Sequence, residues 1–285
     1  MRLNKKEWFT EAFENKTAFS VRYSQKLHAS QSQFQQIEVF QTTAMGRVLS
    51  LDGCFMVTEK DSFVYHEMIT HPTMAMVSGA ESVLVIGGGD GGTITELVKY
   101  PSLKSITLCE IDAEVVSTCR EFFPEISGGL ADPRVRVVCS DGAAYVKQFT
   151  AEFDVILIDS TDPVGPGKAL YELEFYQSVK RALKEGGAAT FQTESPIMMS
   201  EVFGSTVRNL RLVFGDEMAQ PYLCVIPSYP GAMWSFTICS VDKKDFSSPS
   251  CSLSQDSIEG LQYYGSDVQK AAFVLPPFVR RLIAY

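Results

Sequence analysis

The chain has 285 residues, of which 45% are hydrophobic, enough to bury a substantial core as one large or two modest domains. Its formal net charge of -9 argues against nucleic acid as a partner and suits cationic small molecules. Seven scattered cysteines, odd in number and without a C-x-x-C pair, argue against a zinc or disulfide framework and read as thiols of a reducing compartment. The first residues lack an apolar signal core, and no run of about 18 apolar residues follows, so a cytoplasmic protein with no membrane partner is expected.

From Ala18 to about Thr58 the sequence reads as short strands with turn punctuation. Phe34 to Phe40 is rich in strand formers, and Leu51-Asp52-Gly53-Cys54 carries the Asp-Gly pair of a tight hairpin. A helix is predicted from about Lys60 to His71, where Pro72 disturbs it. Beyond Ala80 apolar strands alternate with helical segments: Val83 to Gly87, Ser105 to Glu110 with a helix from Ala113, Val135 to Cys139 with a helix after Asp141, and Phe153 to Ile158. A helical stretch from about Leu170 ends at Gly186-Gly187, and Tyr222 to Ile226 with Trp234 to Ser240 form a late hairpin. Repeated βα units imply α/β architecture: a small antiparallel β domain over residues 1–60 and a doubly wound parallel sheet over 61–285.

Chemistry collects at the strand ends, where ligands sit in open α/β sheets. Gly87-Gly88-Gly89-Asp90-Gly91-Gly92 satisfies G-x-G-x-x-G, and Glu110 ends the next strand, as a ribose-binding carboxylate would. These features alone leave a dinucleotide dehydrogenase and an adenosyl-sulfonium transferase open. Asp90 separates them, because a carboxylate about 4 Å from a pyrophosphate would repel it by roughly 1 to 4 kcal/mol at surface-like dielectrics. Its bland alternative is a helix cap. Asp112, Asp141-Gly142 and the pair Asp159 and Asp162 follow the same strand ends, and their recurrence predicts one acidic crevice. The loop Pro163 to Lys168 after that pair is expected to close over ligands.

The set Trp8 to Glu11, Leu51 to Gly53, Tyr65-His66-Glu67-Met68, Ile86 to Gly92, Cys109 to Asp112, Asp159 to Pro163 with Gly165-Pro166, Ile226 to Pro230, and Tyr263-Tyr264 with Ala271 to Pro276 resembles the polyamine aminopropyltransferase family of spermidine synthases. The resemblance implies a Rossmann-like, methyltransferase-type domain behind an N-terminal antiparallel β domain, assembled as a homo-oligomer, dimer or tetramer. It implies transfer of an aminopropyl group from decarboxylated S-adenosylmethionine, a co-substrate, to putrescine, with no cofactor and no metal. Matched residue by residue, Asp159 is the general base, with Tyr65 and Tyr229 near the reacting amine. Gln35, Glu110, Asp141, Gly142 and Pro166 hold the nucleoside, and Asp90 holds the aminopropyl ammonium. Trp8, His66, Ser160, Thr161, Asp162 and Gln192 join Asp90, Asp159 and Tyr229 around the substrates. The competing readings are a putrescine N-methyltransferase using intact S-adenosylmethionine and a non-catalytic binder of polyamines or adenosyl ligands.

Overall fold

The computed structural model describes residues 7–13, 16–163, 165–248 and 258–284, with Pro166 described by its main chain alone. Five antiparallel strands, β1 (Trp8–Phe13), β2 (Thr17–Gln31), β3 (Gln36–Thr42), β4 (Arg47–Leu51) and β5 (Cys54–Thr58), form one sheet in chain order. The β4–β5 hairpin turns on Asp52 and Gly53, both left-handed at φ 49° and 84°, the backbone that an Asp-Gly pair supplies. The sequence reading missed β1, whose period-two pattern buries Phe9 and, against composition, Glu11 on the same face.

Helix α1 (Ser62–Met74) leads into the second sheet. It continues through Pro72, a correction to the predicted break. The carbonyl that Pro72 leaves without an N–H partner is that of Met68, and the Tyr222 hydroxyl donates to it at 2.5 Å. Then follow β6 (Ser82–Gly87), α2 (Gly92–Leu97), β7 (Ser105–Glu110), α3 (Ala113–Phe122), α4 (Pro124–Ser127), β8 (Val135–Cys139), α5 (Gly142–Val146), β9 (Phe153–Asp159), α6 (Leu173–Ala182), β10 (Leu183–Gln192), α7 (Ser200–Phe214), β11 (Ala219–Val225), β12 (Met233–Ser240), α8 (Ser266–Ala272) and α9 (Pro277–Leu282). The sheet order is β11-β12-β10-β9-β6-β7-β8, with five parallel strands and the late hairpin antiparallel at one edge. Edge position is what admits Pro221 into β11.

Both faces of the central strands are buried. Leu84, Ile86, Ile156 and Ile158 pack with α6 and α7 on one side, and Val83, Val85, Val155 and Leu157 pack with α2 and α3 on the other. This explains their continuous apolar runs. The strand β10 was hidden in the sequence: it starts where the predicted helix was still running, carries Gly186 and Gly187, and breaks register between Leu183 and Ala188. The N-terminal sheet packs Ile37, Val39, Leu49 and Val57 against Val115, Cys119 and Phe123 of α3 and α4's flank, which brings Ser32 and Gln35 to the front end of α3. Four cysteines are buried and Cys54 half-buried, but Cys139 is exposed; Cys251 lies outside the described residues. Among the described residues no helix is long and apolar enough to cross a membrane.

Candidate active site

Parallel register places the strand-end groups side by side, with Gly87 opposite Asp159 and Glu110 opposite Cys139. The backbone of the glycine loop packs directly on β9. A Cβ on Gly88, which has φ +70°, would lie 2.6 Å from Asp159 Oδ2, and one on Gly92 would lie 2.1 Å from the His66 ring. Contact requires glycine at both positions, and at Gly88 the left-handed backbone requires it too. Beyond these strand ends opens a cleft with about 1170 Å³ of empty space, its mouth included, lined by Gln35, Tyr65, His66, Asp90, Glu110, Asp141, Gly142, Asp159, Ser160, Thr161 and Tyr229 among others. A second cavity, about 530 Å³ on the same measure, is lined by Glu11, Cys54, Tyr65, Ser160, Thr161, Asp162, Gln192, Glu194, Tyr229 and Trp234. Tyr65, Ser160, Thr161 and Tyr229 line both, so the two spaces adjoin beside the end of β9.

Asp159 is buried and accepts two hydroxyls: Tyr65 donates to Oδ1 at 2.7 Å and Thr93 to Oδ2 at 2.6 Å. Burial, reinforced by the Asp90 charge and only partly offset by His66 and the two hydroxyls, raises the carboxyl to about 6. The Tyr65 phenol is pushed up by burial and by Asp159, so it stays a protonated donor. Tyr229 stacks obliquely on Tyr65 with ring centroids 5.9 Å apart, but its hydroxyl donates to the Met56 carbonyl at 3.0 Å and not to Asp159.

Asp90 accepts the Gly92 amide at 2.7 Å and pairs with His66 Nε2 at 3.0 Å. Asp90 thus holds the first amide of α2, whose N-cap is Gly91, while its side chain also lines the cleft. Burial works against both charges, but the pairing prevails, lowering the Asp90 carboxyl and raising the His66 imidazole. On the wall of the first cleft formed by the end of β7, Glu110 is raised to about 7, chiefly by burial. Asp141 caps α5 through the Ala144 amide at 3.0 Å, and Asp112 caps α3 while accepting Ser32 at 2.6 Å and Gln35 Nε2 at 3.0 Å.

At the far end of the second cavity, Gln192 wraps Glu194: its amide donates to Glu194 Oε1 at 2.9 Å and its carbonyl accepts the Glu194 N–H at 3.1 Å. Tyr171 adds a hydroxyl to Oε1 at 3.0 Å. Glu194 is buried with φ 67°, a costly backbone for a residue that is not glycine. Asp162 is the neighbouring acid on this wall, and burial pushes its carboxyl up as well. Burial and the Asp162 charge raise Glu194 to about 8. Glu11, raised by burial, accepts the Phe55 amide at 2.9 Å on the same wall.

The structure thus gathers the sequence-selected residues with two exceptions. Trp8 lines neither cavity, and the Pro166 side chain, like Val164 in the loop expected to close, lies outside the described residues. Sequence reasoning missed Glu11, Thr93 and Glu194. The strand-end rule would have found Glu194 had β10 been recognised, because it stands two residues beyond that strand. Thr93 carries no sequence signal of its own. Among the described residues no group of three or more His, Cys, Asp or Glu side chains is placed to hold a metal ion.

The sequence profile of the Spermine/spermidine synthase domain matches residues 62–248, and that of the Spermidine synthase tetramerisation domain matches residues 7–59. The chain belongs to the spermine/spermidine synthase family. It is 42% identical over 276 residues to the polyamine aminopropyltransferase of Moorella thermoacetica, covering 97% of this chain and 96% of that one. It is 40% identical over 276 residues to that of Bacillus subtilis, covering 97% and 98%. A crystal structure of a spermidine synthase in complex with the transition-state analogue AdoDATO superposes with a TM-score of 0.95 at 37% identity, covering 99% of this chain and 96% of that one. The spermidine synthase of Thermotoga maritima gives 0.92 at 35% identity, covering 99% and 95%. The Rossmann-like fold with its small antiparallel sheet is that of the family, and the chain is an enzyme of the transferase class.

Proposed function

We propose that the chain moves the aminopropyl group of decarboxylated S-adenosylmethionine to putrescine, yielding spermidine and methylthioadenosine. The observation that carries this reading is Asp159, a buried carboxylate held by two hydroxyls in the wall of the first cleft, which adjoins a carboxylate-lined pocket through Tyr65, Ser160, Thr161 and Tyr229. In the reaction the amine nitrogen bonds to the methylene carbon, the C–S bond breaks, and sulfur leaves as a neutral thioether. A sulfonium is a good leaving group already, so the protein's task is placement and removal of one proton. An aliphatic amine resembles lysine, near pKa 10.4, and must lose that proton to attack. Asp159 raised to about 6 accepts it more readily than an ordinary aspartate near 3.9.

The remaining roles follow the chemistry of each wall. Glu110 takes the ribose hydroxyls, Asp141 faces the adenine amino group, and Gln35, Gly142 and Pro166 flank the nucleoside. Asp90, with His66 beside it, takes the aminopropyl ammonium and repels the carboxylate that intact S-adenosylmethionine would bring there. Tyr65 and Tyr229 orient the attacking amine, with Ser160 and Thr161 beside them. Asp162 and Gln192 take the other end of the diamine, and Glu194, which Gln192 positions, joins them. We read residues 1–60 as the assembly unit of a homo-oligomer, dimer or tetramer, and 61–285 as the catalytic unit, working in the cytoplasm.

A putrescine N-methyltransferase is the second reading; Asp90 in the loop and the intact Asp159 to Asp162 segment favour aminopropyl transfer over it. Purified protein given both substrates in buffer without added metal is expected to form spermidine and methylthioadenosine. Methylated putrescine from intact S-adenosylmethionine, or no product, would overturn the assignment.

A further inference from the structure

Asp159 is approached differently on its two oxygens. Oδ2 lies beneath the glycine loop, where a Cβ on Gly88 would sit 2.6 Å away, and it accepts the hydroxyl of Thr93, a fully buried residue near the start of α2. Oδ1 faces Tyr65, whose ring lines both the nucleoside cleft and the amine pocket. We infer that the oxygens are not equivalent: Thr93 anchors Oδ2 as the fixed end of the carboxylate, and Oδ1 is the atom that receives the amine proton. Thr93 is thereby a positioning residue for the reaction, an inference that rests on reading Asp159 as the base.

Three physical arguments support the division. A carboxylate with one anchored oxygen cannot swing about its side-chain torsions, so its remaining lone pair stays aimed at one point in the cleft. Hydroxyl donation to the charged form also holds the carboxyl down against burial, keeping it deprotonated near neutral pH. The two donors reach Asp159 from different helices, Tyr65 from α1 and Thr93 from α2, and those helices are locked together. His71 of α1 contacts Glu96 of α2 at 2.9 Å through Nε2 and Tyr100 at 2.7 Å through Nδ1, fully buried. The other titratable groups bearing on Asp159 are Asp90 of the glycine loop, His66 of α1, and Tyr229 beyond β11.

The test compares Thr93→Val, Thr93→Ser and Asp159→Asn with the parent enzyme, reading kcat, KM for each substrate and the pH profile. Thr93→Val is expected to lower kcat about tenfold with the nucleoside KM unchanged. It should also move the acidic limb of the profile upward by about one pH unit, the size of one hydrogen bond to a charged group. Thr93→Ser should restore both. An unmoved limb with parental kcat in Thr93→Val, or Ser behaving like Val, overturns the inference. If Thr93→Val fails to fold, Thr93→Ala against Thr93→Ser asks the same question, and equal profiles for that pair overturn it. Full turnover in Asp159→Asn would instead overturn the base assignment beneath it.

Discussion

In the proposed reading, the nucleoside half of the cleft and the amine half both present carboxylates at strand ends, but they hold them by different means. Asp112 and Asp141 accept backbone amides at the front of α3 and α5, and Ser32 and Gln35 complete the Asp112 shell. Their charges are satisfied by the fold itself. In the amine half, Asp159 and Glu194 accept neutral side-chain donors, Tyr65, Thr93, Tyr171 and Gln192, and lie near other carboxyls. Burial, with the charge of a neighbouring carboxyl, outweighs these donors and raises the two groups to about 6 and about 8. A cationic ligand supplies what the fold withholds. The contrast is not absolute: Glu110 belongs to the nucleoside half and still rises to about 7 by burial, although it accepts the Asp112 amide at 3.0 Å.

The largest way to break this comparison is Asp159→Asn, expected to lower turnover by at least about 10²-fold while methylthioadenosine affinity changes little. In the parent enzyme turnover should fall as pH drops through about 6, because the base works only deprotonated. A flat profile there, or an active Asn variant, would remove Asp159 from the amine half's chemistry.

Glu194→Gln comes next. The putrescine KM should rise about tenfold at pH 9, the scale of one charge-assisted hydrogen bond. The rise should be smaller at pH 6.5, below the value of about 8 at which the parent carboxyl is already largely protonated. A rise equal at both pH values would count against titration of that group. Asp90→Ala should narrow the gap between the inhibition constants of intact and decarboxylated S-adenosylmethionine by severalfold; an unchanged ratio rejects the repulsion. Trp8→Ala is the smallest effect, within about twofold on both KM values, because its side chain lines neither cavity. A large loss of activity would instead show that assembly brings Trp8 to a site.

Much of the frame was legible because its signals are local. Continuous apolar runs marked β6, β7 and β9, the Asp-Gly pair marked the β4–β5 turn, and the glycine loop marked the edge where the cleft opens. Illegible were elements whose reason for forming is distant. Helix α1 survives Pro72 because Tyr222 takes the stranded carbonyl, β10 runs through two glycines because β9 and β12 pair with it, and β1 forms against β2.

The sequence by itself determined which carboxylates stand at the ends of β6, β7, β8 and β9, since strand periodicity and turn chemistry are written within a few residues, but not Glu194 beyond β10. Only the tertiary structure decided which of them are spent on the fold and which remain for chemistry. That division depends on donors brought from far along the chain: Tyr65 and Thr93 to Asp159, Gln35 to Asp112, and His66 to Asp90. It depends equally on burial, which removes the water that would otherwise make every carboxylate alike.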